Sequence, residues 1–158
     1  MKVVAWITFI FINQVTLVAQ TAEARWHFTL SNADVKLHED NQLIIAVDLP
    51  EGWGLYASDF QAETFGPTPT IISFDNSKDY VVIDNVRDIN PVRAEEPSFD
   101  LQYAYFTTAA EFRQSIRLMK SRTNIKGVIS GKLFNLNNGK TIPFEKTFDF
   151  TIDVDANN

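Results

Sequence analysis

The chain has two histidines, no cysteine and twenty acidic residues, and its possible chemistry depends on how these are spaced. His27 stands among Trp26, Phe28 and Leu30, so alternation along a strand puts it on the side opposite the apolar residues. His38 sits in a polar stretch with Glu39 and Asp40, with Asp34 just upstream. Imidazole and carboxylate together suit a divalent cation, so His38 with Asp34 or Glu39 is the metal set to weigh. Neither histidine has regular ligand spacing, and both read as solvated surface, with no metal or other cofactor expected. Serine-histidine-aspartate catalysis needs a nucleophile elbow or an equivalent setting, and none surrounds these residues. Glu95 and Glu96, beside Pro97, could suggest the paired carboxyl groups of glycoside chemistry, but adjacent acids in a polar stretch read as solvated. No glycine-rich phosphate loop occurs. The lack of cysteine excludes a thiol nucleophile, a disulfide framework and dithiol exchange by the chain itself.

The elements that would carry these residues are short strands. The clearest is a hairpin over 126–154, whose second arm places Phe144, Phe148, Phe150, Ile152 and Val154 on even positions. Glu145, Thr147, Asp149, Thr151 and Asp153 fall on odd ones, which gives one core face and one wet face. Between the arms, 135–143 contains Asn138-Gly139, a pair suited to a tight turn. Upstream, strands are expected over 25–31, 42–49, 53–56, 70–74, 80–86, 101–106 and 111–119. Phe112, Ile116 and Leu118 share one side of the last of these, and Arg113, Arg117 and Met119 the other. Turn residues separate the strands, with 58–69 and 88–98 as the longer loops and Thr123-Asn124 turning the chain into the hairpin. About nine short strands without an amphipathic helix predict an all-β fold, an immunoglobulin-like antiparallel β-sandwich. Of the thirteen phenylalanines only Phe9 and Phe11 precede residue 25, and the rest suit such a core.

Residues 1–24 read as a signal peptide: Lys2, an apolar run over 3–12, a second patch over 15–19, then Ala22-Glu23-Ala24 in a cleavage pattern. Cleavage after Ala19 is the alternative site. The apolar run breaks well short of the roughly 20 residues a membrane-spanning helix needs. The remainder, 25–158, is expected to be one exported domain, periplasmic or extracellular, with no transmembrane anchor. Loss of Lys2 and Glu23 leaves the net charge at −6. An acidic domain without a Lys/Arg cluster argues against nucleic acid and anionic lipid as partners.

Aromatic residues near loops are the better lead to function. Trp53, Tyr56, Phe60, Phe65, Phe99, Tyr103 and Tyr105 could form a binding surface. Trp53, Tyr56 and Tyr105 are instead expected to fold back into the core as sandwich edges. Phe99 follows a proline in a polar loop and has no evident strand to pack in.

Several of these segments resemble one family. Gly52-Trp53-Gly54-Leu55-Tyr56-Ala57-Ser58 resembles the GWHLYS segment of the N-terminal periplasmic domain of the thiol:disulfide interchange protein DsbD, in its Bacteroidetes-like form. Gly66-Pro67-Thr68-Pro69-Thr70 is similar to that family's GPxPT. Phe99 through Tyr105-Phe106 is similar to its F-x(5)-Y-F stretch, and the hairpin over 125–150 to the arm that carries its cysteines. The resemblance implies an immunoglobulin-like sandwich in which two hairpin cysteines pass electrons to thioredoxin-like partners under an aromatic cap. Aligned on Phe148-Asp149-Phe150, those cysteine positions fall at Asn135 and Lys140, and Phe99 matches the cap aromatic. Neither Asn nor Lys can supply a disulfide or a thiolate. The family's transmembrane and C-terminal domains do not occur in these 158 residues.

These observations predict a non-catalytic exported module. It would contact a protein of the cell envelope, a thioredoxin-like one among the candidates, through Phe99, Tyr103, Tyr105 and the Asn135–Lys140 loop. The alternatives are a small-molecule or glycan-binding sandwich using Trp53 and Tyr56, and an accessory to a thiol-disulfide pathway whose partner supplies both cysteines.

Overall fold

Strand alternation puts two sheets face to face. The computed structural model describes residues 23–31, 35–61, 66–96 and 101–154. Its strands are β1 (Arg25–Leu30), β2 (Asp40–Asp48), β3 (Trp53–Tyr56), β4 (Ile71–Phe74), β5 (Tyr80–Asp88), β6 (Val92–Glu96), β7 (Leu101–Phe106), β8 (Ala109–Leu118), β9 (Arg122–Asn135) and β10 (Thr141–Asp153). One sheet has four strands in the order β1-β2-β8-β5. The other has six, in the order β10-β9-β3-β7-β6, with β4 also on β9. Every pairing is antiparallel, so the expected immunoglobulin-like β-sandwich is the fold found.

The core lies between the sheets. Leu43, Ile45 and Val47 of β2 and Phe112, Ile116 and Leu118 of β8 meet Leu55, Ile125, Ile129 and Leu133 of the facing sheet, all of them buried. Each large apolar side chain removed from water there stabilises the fold by about 1.5–3 kcal/mol. Aromatic rings join the layers: Phe106 meets Phe112 edge-on at 5.5 Å, and Phe28 of β1 lies 5.0 Å from Phe148 of β10. In β10, Phe148 and Ile152 are buried and Phe144, Phe150 and Val154 half-buried, while the odd positions from Glu145 to Asp153 are exposed, as the alternation requires.

The register also pairs glycine with phenylalanine. Phe148 stands opposite Gly127, Phe144 opposite Gly131, and Phe134 opposite Gly54. The phenylalanine ring lies over the glycine it faces: a Cβ on Gly127 would come 2.4 Å from Phe148 Cζ and 2.1 Å from the Ser73 carbonyl oxygen. A side chain there would displace both the ring and β4, so the position needs glycine for close approach.

Long β9 accepts two short strands along one edge, β3 near Leu133–Asn135 and β4 near Gly127–Ser130. Thr70 ties their ends together, its N–H donating to Ala57 O at 2.9 Å and its Oγ to Tyr56 O at 2.5 Å. Phe65, between these two strands in sequence, lies outside the described residues.

Several boundaries differ from expectation. Residues 88–98 are not one loop: β5 runs on to Asp88, and Val92–Glu96 forms an additional strand against β7, making ten. Its sequence lacks apolar alternation because it is a charged edge strand, a common guard against edge-to-edge pairing. Thr123 and Asn124 already belong to β9 and pair with Ile152 and Thr151. The hairpin loop is shorter than 135–143, since Thr141 and Pro143 pair with Phe134 and Lys132.

Within β5 the register slips between Ile83 and Arg87, where Asp84 takes a φ of 60°. Buried Gln114 of β8 holds that bulge, its Nε2 donating to Ile83 O at 2.7 Å and to Asp84 O at 3.3 Å. No helix among the described residues is long and apolar enough to cross a membrane.

Candidate functional site

The hairpin end has no thiol, and hydrogen bonds close it. Asn135 N–H donates to Lys140 O at 2.8 Å, and Gly139 N–H to Asn135 O at 2.8 Å. Asn135 Oδ1 accepts the N–H groups of Asn137 at 3.0 Å and Asn138 at 3.2 Å, while Asn138 Oδ1 accepts Lys140 N–H at 2.9 Å. Asparagine suits this role because its short side chain mimics a backbone turn. Gly139, at a φ of 70°, takes the left-handed position. Leu136 N–H reaches back to Gly52 O at 2.9 Å, which anchors the turn to the loop before β3. Asn135 and Lys140 therefore stand opposite one another at the mouth of the turn.

Beside this turn lies a cluster of rings on the outer face of the six-stranded sheet. Leu55, Leu133 and Phe106 are register partners facing the core, so Tyr56, Tyr105 and Phe134, one residue removed, face outward. Tyr56 and Phe134 stack at 4.4 Å, Tyr105 meets Phe134 edge-on at 5.6 Å, and Tyr103 stacks on Tyr105 at 6.1 Å. Phe60 adds an edge contact to Tyr56 at 6.4 Å. The expectation that Tyr56 and Tyr105 join the core is thus corrected. Both faces of β7 are apolar, so alternation alone did not assign the inner one. Trp53 does pack against the core cluster. Exposed Val92, opposite Tyr105 on β6, and exposed Leu136, next to the turn, extend the apolar face. Burial and the neighbouring Tyr103 raise the Tyr56 hydroxyl above its usual pKa, which keeps the face neutral.

Tyr103, Tyr105 and the Asn135–Lys140 turn are therefore brought together, with Phe134 linking them. Phe99 lies outside the described residues. A hollow of about 340 Å³ opens next to the rings, lined by Asp59, Phe60, Arg93, Ala94, Leu101 and Tyr103 among others. Its polar wall is an ion pair, Arg93 Nη2 to Asp59 Oδ2 at 2.5 Å. Behind it Asp88 accepts Ser58 N–H and Ser58 Oγ–H, both at 2.9 Å, and desolvation pushes its pKa up to about 6. Sequence reasoning missed this group, because its members are some thirty residues apart and meet only when the end of β5 and the edge strand β6 come up to the segment after β3.

The remaining candidates do not converge. His27 points outward and meets exposed Asp48 at 3.2 Å. His38 holds a turn with a φ of 61°, and its N–H donates to Leu118 O at 2.9 Å. Glu39 pairs with Lys36, and Asp34 lies outside the described residues. Among the described residues no three His, Asp or Glu side chains gather as a metal site would require. Glu95 and Glu96 are consecutive residues of β6 and so alternate to opposite faces, which rules out their joint action on one bond.

No family model and no curated protein matches the sequence. Among solved structures, the reduced DsbD N-terminal domain from Neisseria meningitidis is similar to it, with a TM-score of 0.51 and 12% identity over 81% of this chain and 86% of that one. A second, the complex between the DsbD N-terminal and PilB N-terminal domains from the same organism, gives 0.48 and 11% over 78% of this chain and 80% of that one. Likeness at this identity concerns the fold: the chain is an immunoglobulin-like β-sandwich with the architecture of the DsbD N-terminal domain, and it lacks cysteine.

Proposed function

We propose that the chain is a non-catalytic, exported interaction module that binds a protein partner. Its contact surface would be the aromatic face formed by Tyr56, Tyr103, Tyr105 and Phe134 together with the Asn135–Lys140 turn. The observation that carries this reading is the continuity of that face with the turn. Half-buried rings that pack on one another outside the core, bordered by exposed Val92 and Leu136, form an apolar surface of the kind used for association. The turn at its edge is where the family resemblance puts the exchange cysteines, and here hydrogen bonds replace them. A thioredoxin-like protein is the first partner to test, on the strength of that resemblance. Phe99 completes the set if its cap role persists.

Crosslinking capture from a native envelope extract tests this, with wild type beside Tyr103→Ala, Phe99→Ala and Lys140→Glu. Loss of one specific partner in Tyr103→Ala and Lys140→Glu, with folding intact, is the expected result. Capture unchanged in all three variants would sink the proposal.

A further inference from the structure

One carboxyl group bridges the two sheets beside the aromatic face. Asp88 closes β5 on the same side as its register partner Phe112, a fully buried ring. From there it reaches the segment after β3, accepting both donors of Ser58 at 2.9 Å, with the Asp59 carboxyl next in the chain and close enough to help raise its pKa. Two carboxyl groups can hydrogen-bond directly only if one of them holds a proton. Arg93 of β6 holds the far side of Asp59. Glu95 of β6 lines the same hollow and accepts Gln102 Nε2–H at 3.4 Å, and the other charges nearby are Arg87 on β5 and Glu111 and Arg113 on β8. Those three alternate onto the outer face of the four-stranded sheet, where Glu111 and Arg113 pair with each other at 2.6 Å. Arg93 is the cation beside the Asp59 and Asp88 carboxyl groups.

We propose that Ser58, Asp59, Asp88 and Arg93 form a proton-operated latch that sets how Phe60 packs against the aromatic face, and so regulates the partner contact. The regulatory part rests on the function proposed above, whereas the latch itself does not. With the proton present, the O–H of one carboxyl donates to the other and Arg93 balances the single remaining charge. Loss of the proton to solvent leaves two carboxylates beside one cation, and they repel. Ser58 stays in place, because its N–H and O–H donate more strongly to an ionised acceptor. Asp59 is the member that moves. Phe60 follows it in the chain, touches Tyr56 at 6.4 Å and lines the hollow, so the displacement passes directly to the aromatic face.

NMR titration of the purified protein without any partner, from pH 4.5 to 8, tests the latch. The amides of Ser58, Asp59 and Phe60 should shift together with a midpoint close to 6. In Asp88→Asn, whose amide can still donate to Asp59, they should keep their low-pH positions throughout. Asp59→Asn, which removes the second carboxylate, should lower the midpoint while burial keeps it above the ordinary carboxyl value. Amides that follow an ordinary carboxyl midpoint near 4, or a transition near 6 that persists in Asp88→Asn, would overturn the proposal. Capture of the partner should differ between pH 5 and pH 7.5 in wild type and not in Asp88→Asn, and equal capture by wild type would overturn the regulatory role. Because the titration is read on the free protein, its failure leaves the partner contact standing. Unchanged capture by Tyr103→Ala, Phe99→Ala and Lys140→Glu would remove the contact and leave the titration intact.

Discussion

Cysteines introduced at positions 135 and 140 should join without rearranging the hairpin. The β9–β10 register sets Phe134 opposite Thr141, so Asn135 and Lys140 are the next opposed pair, and Asn135 N–H already donates to Lys140 O at 2.8 Å. Opposed residues of an antiparallel pair have Cα atoms about 4.5–5.5 Å apart, within the roughly 4.4–6.8 Å that a disulfide spans. Closing a loop of about six residues lowers the entropy of the unfolded chain by about 7 cal/mol/K, or about 2 kcal/mol at 25 °C. The reduced double variant should start below wild type, because Asn135 Oδ1 no longer accepts Asn137 and Asn138 N–H. That loss, in an exposed turn, is about 0.5–1.5 kcal/mol. Comparing the oxidised and reduced forms of the same variant cancels it. The assay is thiol titration after equilibration in glutathione buffer, followed by urea unfolding with and without reductant. Oxidation should remove both thiols and raise stability by about 1–2 kcal/mol. Two thiols still titratable, or an oxidised form less stable than the reduced one, would refute the opposition of these positions and with it their match to the family's cysteine pair.

Three further substitutions probe other parts of the structure. Asp88→Asn should gain stability over wild type as pH rises. The native pKa of Asp88, about 6, lies above its ordinary 3.8, so folding favours the protonated form and wild type loses this contribution between about pH 4 and 7. For a half-buried carboxyl screened by solvent the difference should be about 1 kcal/mol, read as a gap in Tm between variant and wild type that widens to pH 7 and then stays constant. Gly127→Ala should cost about 1–3 kcal/mol by overpacking, because the methyl meets Ser73 O and the Phe148 ring; urea unfolding measures it, and a change below about 0.5 kcal/mol would contradict the close approach. Gln114→Ala should cost about 1–3 kcal/mol by removing the donor to the Ile83 and Ser115 carbonyls in a buried site, and faster amide exchange along 83–87 should accompany it.

The fold was legible where one face of a strand is apolar and the other is not. β10 shows this, with Phe148 and Ile152 in and Asp149 and Thr151 out, and so does β8 with Phe112, Ile116 and Leu118. β6 was not legible, because Val-Arg-Ala-Glu-Glu has no such contrast and is a strand only because β7 offers it a backbone to pair with. β7 failed differently, since Tyr103 and Tyr105 on one face and Ala104 and Phe106 on the other are both apolar. Its inner face is decided by its pairing with β3, where Leu55 meets Phe106. That pairing turned Tyr56 and Tyr105 from expected core residues into the outer cluster. The Asp88 group was invisible for a third reason: Ser58, Asp59 and Arg93 are ordinary surface types, and only tertiary contact brings them together around a half-buried carboxyl.

A hairpin of this fold can do without a disulfide because other interactions already fix its register. Along β9 and β10 the pairing runs unbroken from Arg122–Asp153 to Phe134–Thr141. A slip of one residue would turn Phe148 and Ile152 from the core to solvent. It would also drive the Phe148 ring away from Gly127, where the backbone leaves room for it, against residues that carry side chains. The turn adds its own constraint through Asn135, Asn138 and Gly139. Cysteine at positions 135 and 140 would thus contribute chemistry more than architecture. The rings of Tyr56, Tyr103, Tyr105 and Phe134 pack on one another and the sheet without reference to either position. The proposed contact surface therefore does not depend on cysteine in the turn.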